Sequence, residues 1–406
     1  MSLTEHLDLR GGAVCWPEPA SDLPVASPPA DLVDVAIVGA GVMGAMLAER
    51  ISGQGRSVVV LDRRPPAWGA TAASTALVMW GADTPLSHLG RSLGAAEAAR
   101  RWRCVYAAVA DLDERIRRLA LDCGWRARPE VYLAGTLLDE EELQAEAKAR
   151  QAAGLPSQFL DSKSLAERFG LPPRAGLISD LAFEVDPVAL TLGLLKCAVG
   201  RGAKLIWPAD VVAVASHEAG VSLTLADGRA VLARQAVLAT GYEAARAYLP
   251  PAFELGSSFA IASAPGLAPL WRENALIWEA SDPYLYARTT RDGRVIIGGA
   301  DEDFADAERR DALLDAKRQT LTAQSGDLLG REGVVAECAW AATFGSSPDG
   351  LPAIGRAPGF DALWLASGFG GNGVSFASMA ASLICGSLDG VPAPDLDCFA
   401  PDRFET

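Results

Sequence analysis

Residues 34–62 read DVAIVGAGVMGAMLAERISGQGRSVVVLD, and the order of elements in this stretch decides the fold. Val35-Ala36-Ile37-Val38 is a short apolar run of the kind that forms a buried parallel strand. It leads into Gly39-Ala40-Gly41-Val42-Met43-Gly44 and then a helical pattern with Met43, Met46, Leu47 and Ile51 on one side. A turn at Gly53-Gln54-Gly55 hands over to a second strand, Ser57 to Leu61, which ends on Asp62. Gly39 permits a tight turn, Gly41 lets backbone approach a pyrophosphate, and Gly44 lets helix and strand pack closely. Phosphates are favoured at the helix N-terminus, where backbone N–H groups carry roughly half a positive charge. Asp62, about 20 residues beyond the glycines, is placed to accept hydrogen bonds from a ribose. Strand, glycines, helix, strand and acid together predict a nucleotide-binding βαβ unit.

Working outward, 406 residues exceed one ordinary core and predict two or three domains. Half of the residues are hydrophobic and 21% charged, the balance of a globular chain, and no apolar run reaches the length of a membrane span. The polar start MSLTEHLDLR does not read as a secretory signal. The seven scattered cysteines, with no CxxC, predict reduced thiols and a cytoplasmic protein. A net charge of −15 argues against a nucleic-acid partner. The three histidines (6, 88 and 217) lie far apart, which argues against a histidine-rich metal site or a Ser-His-Asp triad. A cofactor is therefore expected to carry the chemistry.

Residues 1–30, rich in Pro and Ser after residue 11, read as an extended arm. Gly69-Ala70-Thr71-Ala72-Ala73-Ser74-Thr75 opens a second short helix. Leu86 to Cys123 has helical spacing, Val131 to Ala134 reads as a strand, and Asp139 to Ala153 as a helix. Ser179 to Pro187 reads as a loop into a helix ending at Val199. Strands are predicted at Lys204–Trp207, Val211–Ala215, Val221–Leu225 and Ala236–Leu238, and turns at Asp227-Gly228 and Asp292-Gly293. A charged helix fills Glu308 to Leu329, and the strand Leu363–Ala366 precedes a helix, Val374–Leu388.

Two further small-residue segments lie far from the first: Ala239-Thr240-Gly241 after a buried strand, and Ser367-Gly368-Phe369-Gly370-Gly371-Asn372-Gly373 before a helix. A glycine loop at a helix N-terminus presents N–H donors to an electron-rich group. Sites at both ends of the chain imply one long cofactor.

With these segments the sequence resembles the FAD-dependent amino-acid and amine oxidoreductases of the D-amino-acid oxidase and sarcosine oxidase superfamily. The resemblance rests on the fingerprint closing on Asp62, GATAAST at 69–75, VLATGY at 237–242, YLYARTTRDGRVIIGGADED at 284–303, DGLPAIG at 349–355 and GFGGNGVSFA at 368–377. Its flavour is nearest the bacterial enzymes related to gamma-glutamylputrescine oxidase, including WPE at 16–18. It implies a mixed α/β and α+β fold, a Rossmann-like FAD-binding domain interleaved with an antiparallel-sheet substrate domain. The FAD-binding part is expected from 31–85, 186–250 and 338–406, and the substrate part from 86–185 and 251–337.

The resemblance assigns Gly39, Gly41, Val42, Met43 and Gly44 to the pyrophosphate, Asp62 to the adenosine ribose and Arg63 to the adenine. Gly69, Thr71 and Ser74 would meet the cofactor at a second helix N-terminus, Thr240 and Gly241 would pack over it, and Gly368, Gly370, Gly371, Asn372 and Gly373 would face the pyrimidine edge of the flavin. Tyr284, Tyr286 and Arg288 resemble the strand that orients the substrate, with Arg288 as carboxylate anchor; along a strand i, i+2 and i+4 share a face. Trp80, Trp278, Trp340 and Phe344 are candidates for an apolar wall. No lysine lies between Lys204 and Lys317, where sarcosine-type enzymes carry one near the equivalent of Ile296 to activate oxygen. The position of their flavin-linking cysteine falls near Ala342, so FAD is expected to be non-covalent. The implied reaction is oxidation of a C–N bond in an amino acid or related amine, with hydride passing to flavin N5 and the imine hydrolysing, and oxygen or another electron acceptor closing the cycle. The alternatives are a flavin dehydrogenase of a 2-hydroxy acid or polyol, and a flavin-bearing electron-transfer subunit. A nicotinamide dehydrogenase would leave the C-terminal glycines unexplained.

Overall fold

The computed structural model describes residues 3, 6–17, 22–243, 248–249, 252–391 and 393–404. Glu18 of the WPE segment therefore lies outside the described residues. The βαβ unit forms as its pattern predicts: strand Val33–Val38, helix Val42–Gly53 and strand Val58–Leu61. Their sheet has the order Ala353–Arg356, Leu363–Ser367, Ala230–Leu238, Val33–Val38, Val58–Leu61, Lys204–Ile206, with hairpin Val211–His217/Gly220–Leu225 added on Ala230–Leu238. Four central pairings are parallel and in step, so Leu365, Leu238, Val38, Leu61 and Ile206 finish side by side. Loops leaving that common edge converge, which is where open parallel sheets bind ligands.

Side-chain alternation divides this sheet between two cores. Val35, Ile37, Val58 and Val60 join helices Val42–Gly53, Pro187–Gly200 and Gly373–Leu388, while Ala36, Val38, Val59 and Leu61 join the hairpin side. Helix Pro187–Gly200 starts with Pro at its first turn and Asp186 accepting the N–H groups of Val188 and Ala189.

The second sheet runs Arg10–Gly12, Cys338–Ser346, Glu254–Ala262, Val295–Glu302, Leu285–Thr289, Leu276–Glu279, Arg126–Leu133, Gly176–Glu184, Leu77–Val78, with Ser157–Leu160 also on Gly176–Glu184. Every pairing in it is antiparallel except Leu276–Glu279 with Arg126–Leu133. The expected mixture of a Rossmann-like sheet with an antiparallel one is present. Three segments cross the expected division, one being Leu77–Val78, which lies in the antiparallel sheet. Helix Ala95–Arg118 buries Trp102, Val105, Val109 and Leu112 in the core shared with Leu47 and Ile51, and Cys338–Ser346 pairs inside the antiparallel sheet.

The segment 179–187, expected as a loop, is mostly strand. Gly176–Glu184 is one strand that bulges at Asp180 and Leu181, the latter at φ 63°, opposite a register shift at Arg128/Glu130. A bulge of this kind inserts extra residues and breaks the period of two that a sequence reading seeks. The charged helix also divides at Leu313, into Ala307–Ala312 and Leu314–Leu329. Among the described residues no helix is long and apolar enough to cross a membrane.

Candidate active site

One cavity follows the edge where the parallel strands end and continues to the antiparallel sheet. It is lined at one end by Gly39, Gly41, Val42, Met43, Asp62 and Arg63, and at the other by Tyr284, Tyr286, Trp278 and Phe344. Gly39 has φ 117°, and a Cβ there would lie 2.2 Å from the Ala239 carbonyl oxygen. A Cβ on Gly44 would lie 1.8 Å from the Gly39 carbonyl oxygen, so this glycine serves helix-to-strand packing and lies off the lining. That corrects its expected place against a pyrophosphate.

Asp62 follows strand Val58–Leu61 and accepts two backbone N–H groups, Ala40 at 2.7 Å and Arg64 at 2.8 Å. Burial raises its pKa against those two bonds. Arg63 and Arg64 both pair with Glu243, Arg64 at 2.9 Å. Arg63 thus lines the cavity and shares one carboxylate with Arg64, and Glu243 is a lining residue that the sequence reading missed.

Gly69 precedes a helix of only four residues, Ala70–Ala73. Thr71 Oγ1 accepts the Val42 N–H at 3.0 Å, so it caps the helix of the fingerprint and keeps its own proton for a further acceptor. Ser74 lines the cavity while its Oγ accepts the Ala76 N–H. Thr240 and Gly241 line the cavity, and Ser367 Oγ donates to the Gly241 carbonyl at 2.6 Å, tying the second glycine segment to the third. Gly370, Gly371, Asn372 and Gly373 line the cavity at the start of helix Gly373–Leu388. Gly368 does not: its open side faces the Phe253 ring, where a Cβ would come within 2.9 Å.

The main residue missed by sequence reasoning is Asp83. Its Oδ2 accepts the Gly371 N–H at 3.2 Å and its Oδ1 the Asn372 side-chain amide at 3.0 Å. Asp83 is exposed on the cavity wall, yet the protein atoms crowded around its carboxylate push its pKa up to about 6, the Gly371 N–H opposing the rise and Asp301 adding to it. No spacing marks this aspartate, because its partners lie at the far end of the chain.

Tyr284 and Tyr286 share the cavity face as expected, with ring centroids 6.1 Å apart. Burial, then Asp301 and Asp83, hold the Tyr284 phenol well above its usual pKa; burial takes Tyr286 to about 12. Tyr286 crosses the strand Val295–Glu302 at Gly298, where a Cβ would lie 2.1 Å from its ring. Trp278 stacks on Tyr132 at 4.0 Å and donates to Glu130 at 2.8 Å.

Arg288 does not join the tyrosines in the cavity. Its Nη1 donates to the carbonyls of Thr75 (2.8 Å), Ala76 (2.7 Å) and Val185 (2.9 Å), and its Nε to Thr289 (2.9 Å). It lies off the lining and is 2% exposed. The expected carboxylate anchor is instead a buried strut beneath the wall formed by residues 73–77. Trp80 and Trp340 also lie behind the lining, donating to the carbonyls of Asp180 and Ala73; Trp278 and Phe344 are on it.

The fit to a long dinucleotide is physical: glycines that admit no Cβ, a carboxylate at the strand end, and one continuous cleft joining three dispersed segments. None of the seven free cysteines is on the described lining, which agrees with a non-covalently held cofactor.

The model of the DAO family, described as FAD dependent oxidoreductase, matches residues 34–386. A relative named Probable oxidoreductase OrdL, from Haemophilus influenzae, is 22% identical over 88% of this chain and 83% of its own. A D-amino acid dehydrogenase of Cereibacter sphaeroides is 27% identical over 91% of this chain and 96% of its own. The crystal structure of glycine oxidase from Geobacillus kaustophilus superposes with a TM-score of 0.73 at 21% identity, covering 91% of this chain and 98% of that one, a likeness of fold.

Proposed function

From the premise that the chain belongs to the DAO family of FAD-dependent oxidoreductases, we propose that it oxidises the C–N bond of an amino acid or related amine to an imine, which water then hydrolyses. FAD is its cofactor, and when bound supplies the acceptor for the electron pair of the substrate's α C–H bond. The observation that carries the reading is the single cleft leading from Asp62 and the fingerprint glycines to the paired tyrosines. The D-amino acid dehydrogenase and glycine oxidase that it resembles are named for amino-acid substrates.

The chain's own residues then have separable tasks. Asp62, kept in place by two N–H groups, offers its remaining lone pairs to ribose hydroxyls. Thr71 keeps a hydroxyl proton for a phosphate oxygen. Gly371, Asn372 and Gly373 set the positive end of helix Gly373–Leu388 at the cavity wall, which favours electron-rich groups there. Tyr284 and Tyr286 orient the substrate, while Trp278 and Phe344 exclude water from the reacting carbon.

Anaerobic mixing of the yellow holoenzyme with amines, amino acids and 2-hydroxy acids tests this. Bleaching by members of the nitrogen panel is expected. Bleaching by hydroxy acids alone would overturn the reading.

A further inference from the structure

The tyrosine end of the cavity has a definite electrostatic character. Asp83 presents a carboxylate to it, held by one backbone N–H and one side-chain amide at the start of helix Gly373–Leu388, with no cationic side chain in either bond. A Cβ built on Gly371 would lie 3.3 Å from Asp83 Oδ1 and 3.7 Å from the Tyr284 hydroxyl, which puts carboxylate and phenol around one point. Behind Tyr284, Asp301 faces the Tyr284 and Ser258 hydroxyls and adds a second acid. The walls around this point are ring faces: Tyr284, Tyr286, Trp278 and Phe344. Ring faces attract cations and so does a carboxylate on the wall of a cleft.

The cations nearby are spent elsewhere. Arg288, itself off the lining, donates to four backbone carbonyls. Arg63 and Arg64, the cations on the described lining, sit at the opposite end and share Glu243. A substrate carboxylate at the tyrosine end would meet Asp83 at close range, a like-charge arrangement that repels.

We infer that the tyrosine end recognises an alkylammonium group rather than a carboxylate, and that Asp83, with the Tyr284, Tyr286 and Trp278 rings, is its receptor. The substrate class is then an aminoalkyl compound, such as a diamine or an N-alkylated amine, whose reacting end carries no carboxylate. This rests on the reading of the cleft as the site of C–N oxidation and narrows its substrate.

Isothermal titration of the FAD-loaded protein with butylammonium and with butanoate separates the two charges on one carbon skeleton, without turnover as the readout. Butylammonium is expected to bind at least tenfold more tightly than butanoate. Asp83→Asn should weaken butylammonium about tenfold while leaving butanoate no weaker, and Asp83→Glu should recover part of the loss. Tighter binding of butanoate, or a butylammonium affinity unchanged in Asp83→Asn, overturns the inference. Should the variant fail to retain flavin, the comparison of the two ligands on the parent protein decides alone. Bleaching by amino acids with no preference for butylammonium removes this inference and leaves C–N oxidation standing. Tight butylammonium binding without bleaching by any nitrogen compound does the reverse.

Discussion

Replacing Arg288 by methionine separates a strut from a substrate anchor. The change keeps an unbranched apolar stem but removes the donors serving Thr75, Ala76, Val185 and Thr289. Stranding four buried carbonyls costs about 1 kcal/mol each, and burial of the guanidinium, which lowers its pKa, repays part of that, giving a net loss of about 3 kcal/mol. With an unfolding entropy of about 2.1 cal/mol/K per residue, a chain of 406 residues should melt about 3 to 4 °C lower. Thr75 and Ala76 line the cavity, so flavin should be released at the same lowered temperature. Thermal scans following flavin fluorescence, alongside KM for the best substrate, provide the measurement. Arg288→Met should lower the melting point and change KM by less than about threefold, a difference below the tenfold mark of 1.4 kcal/mol. A melting point within about 1 °C of the parent, with KM raised tenfold or more for a carboxylate substrate, would refute the strut and restore the anchor.

Gly44→Val should yield protein with little bound flavin, because the new side chain meets the Gly39 carbonyl, whereas Gly386→Ala, which meets nothing within 4 Å, should retain it; the visible absorbance of the purified variants compares them. Butylammonium affinity should fall as pH drops through about 6, since Asp83 is ionised and attractive above that value and neutral below it. Tyr284 and Tyr242, the phenols facing Asp83, have raised pKa values and stay neutral in this range, so a curve unchanged in Asp83→Asn would assign the titration to Asp301 instead. All seven thiols are held above their ordinary pKa chiefly by burial, Cys15, Cys104 and Cys385 to about 12; alkylation by iodoacetamide at pH 8 should be far slower than in urea, and equal rates would contradict the burial. Glu130→Leu, which strands the Trp278 N–H beside the cavity, should raise KM more than Glu130→Gln, which keeps an acceptor for it.

The nucleotide end was legible because its determinants are local. Strand period, helix period and fixed glycine offsets all fall within Asp34–Asp62, and the sheet edge that gathers Leu238 and Leu365 beside Val38 follows from three buried parallel strands. The substrate end was only half legible. Alternation put Tyr284, Tyr286 and Arg288 on one face, but a face does not say where a long guanidinium ends, and three carbonyls claimed it. Asp83 was invisible because Gly371 and Asn372 reach it only after the fold closes. Gly44 and Gly368 show the converse limit: motif membership identifies a glycine, while only the packed neighbours tell whether backbone or ligand needs the space.

The edge strand Arg10–Gly12 has a consequence for how the molecule is made. Its partner is Trp340–Ala342, and the segment around it supplies Leu9 to the cavity lining, the Leu7 carbonyl to Arg64, and the Trp16 ring N–H to Ser74. A ribosome releases this segment hundreds of residues before the strand that receives it. The cofactor cleft therefore cannot be walled until Cys338–Ser346 has emerged, and a segment made hundreds of residues earlier has to wait for it before docking.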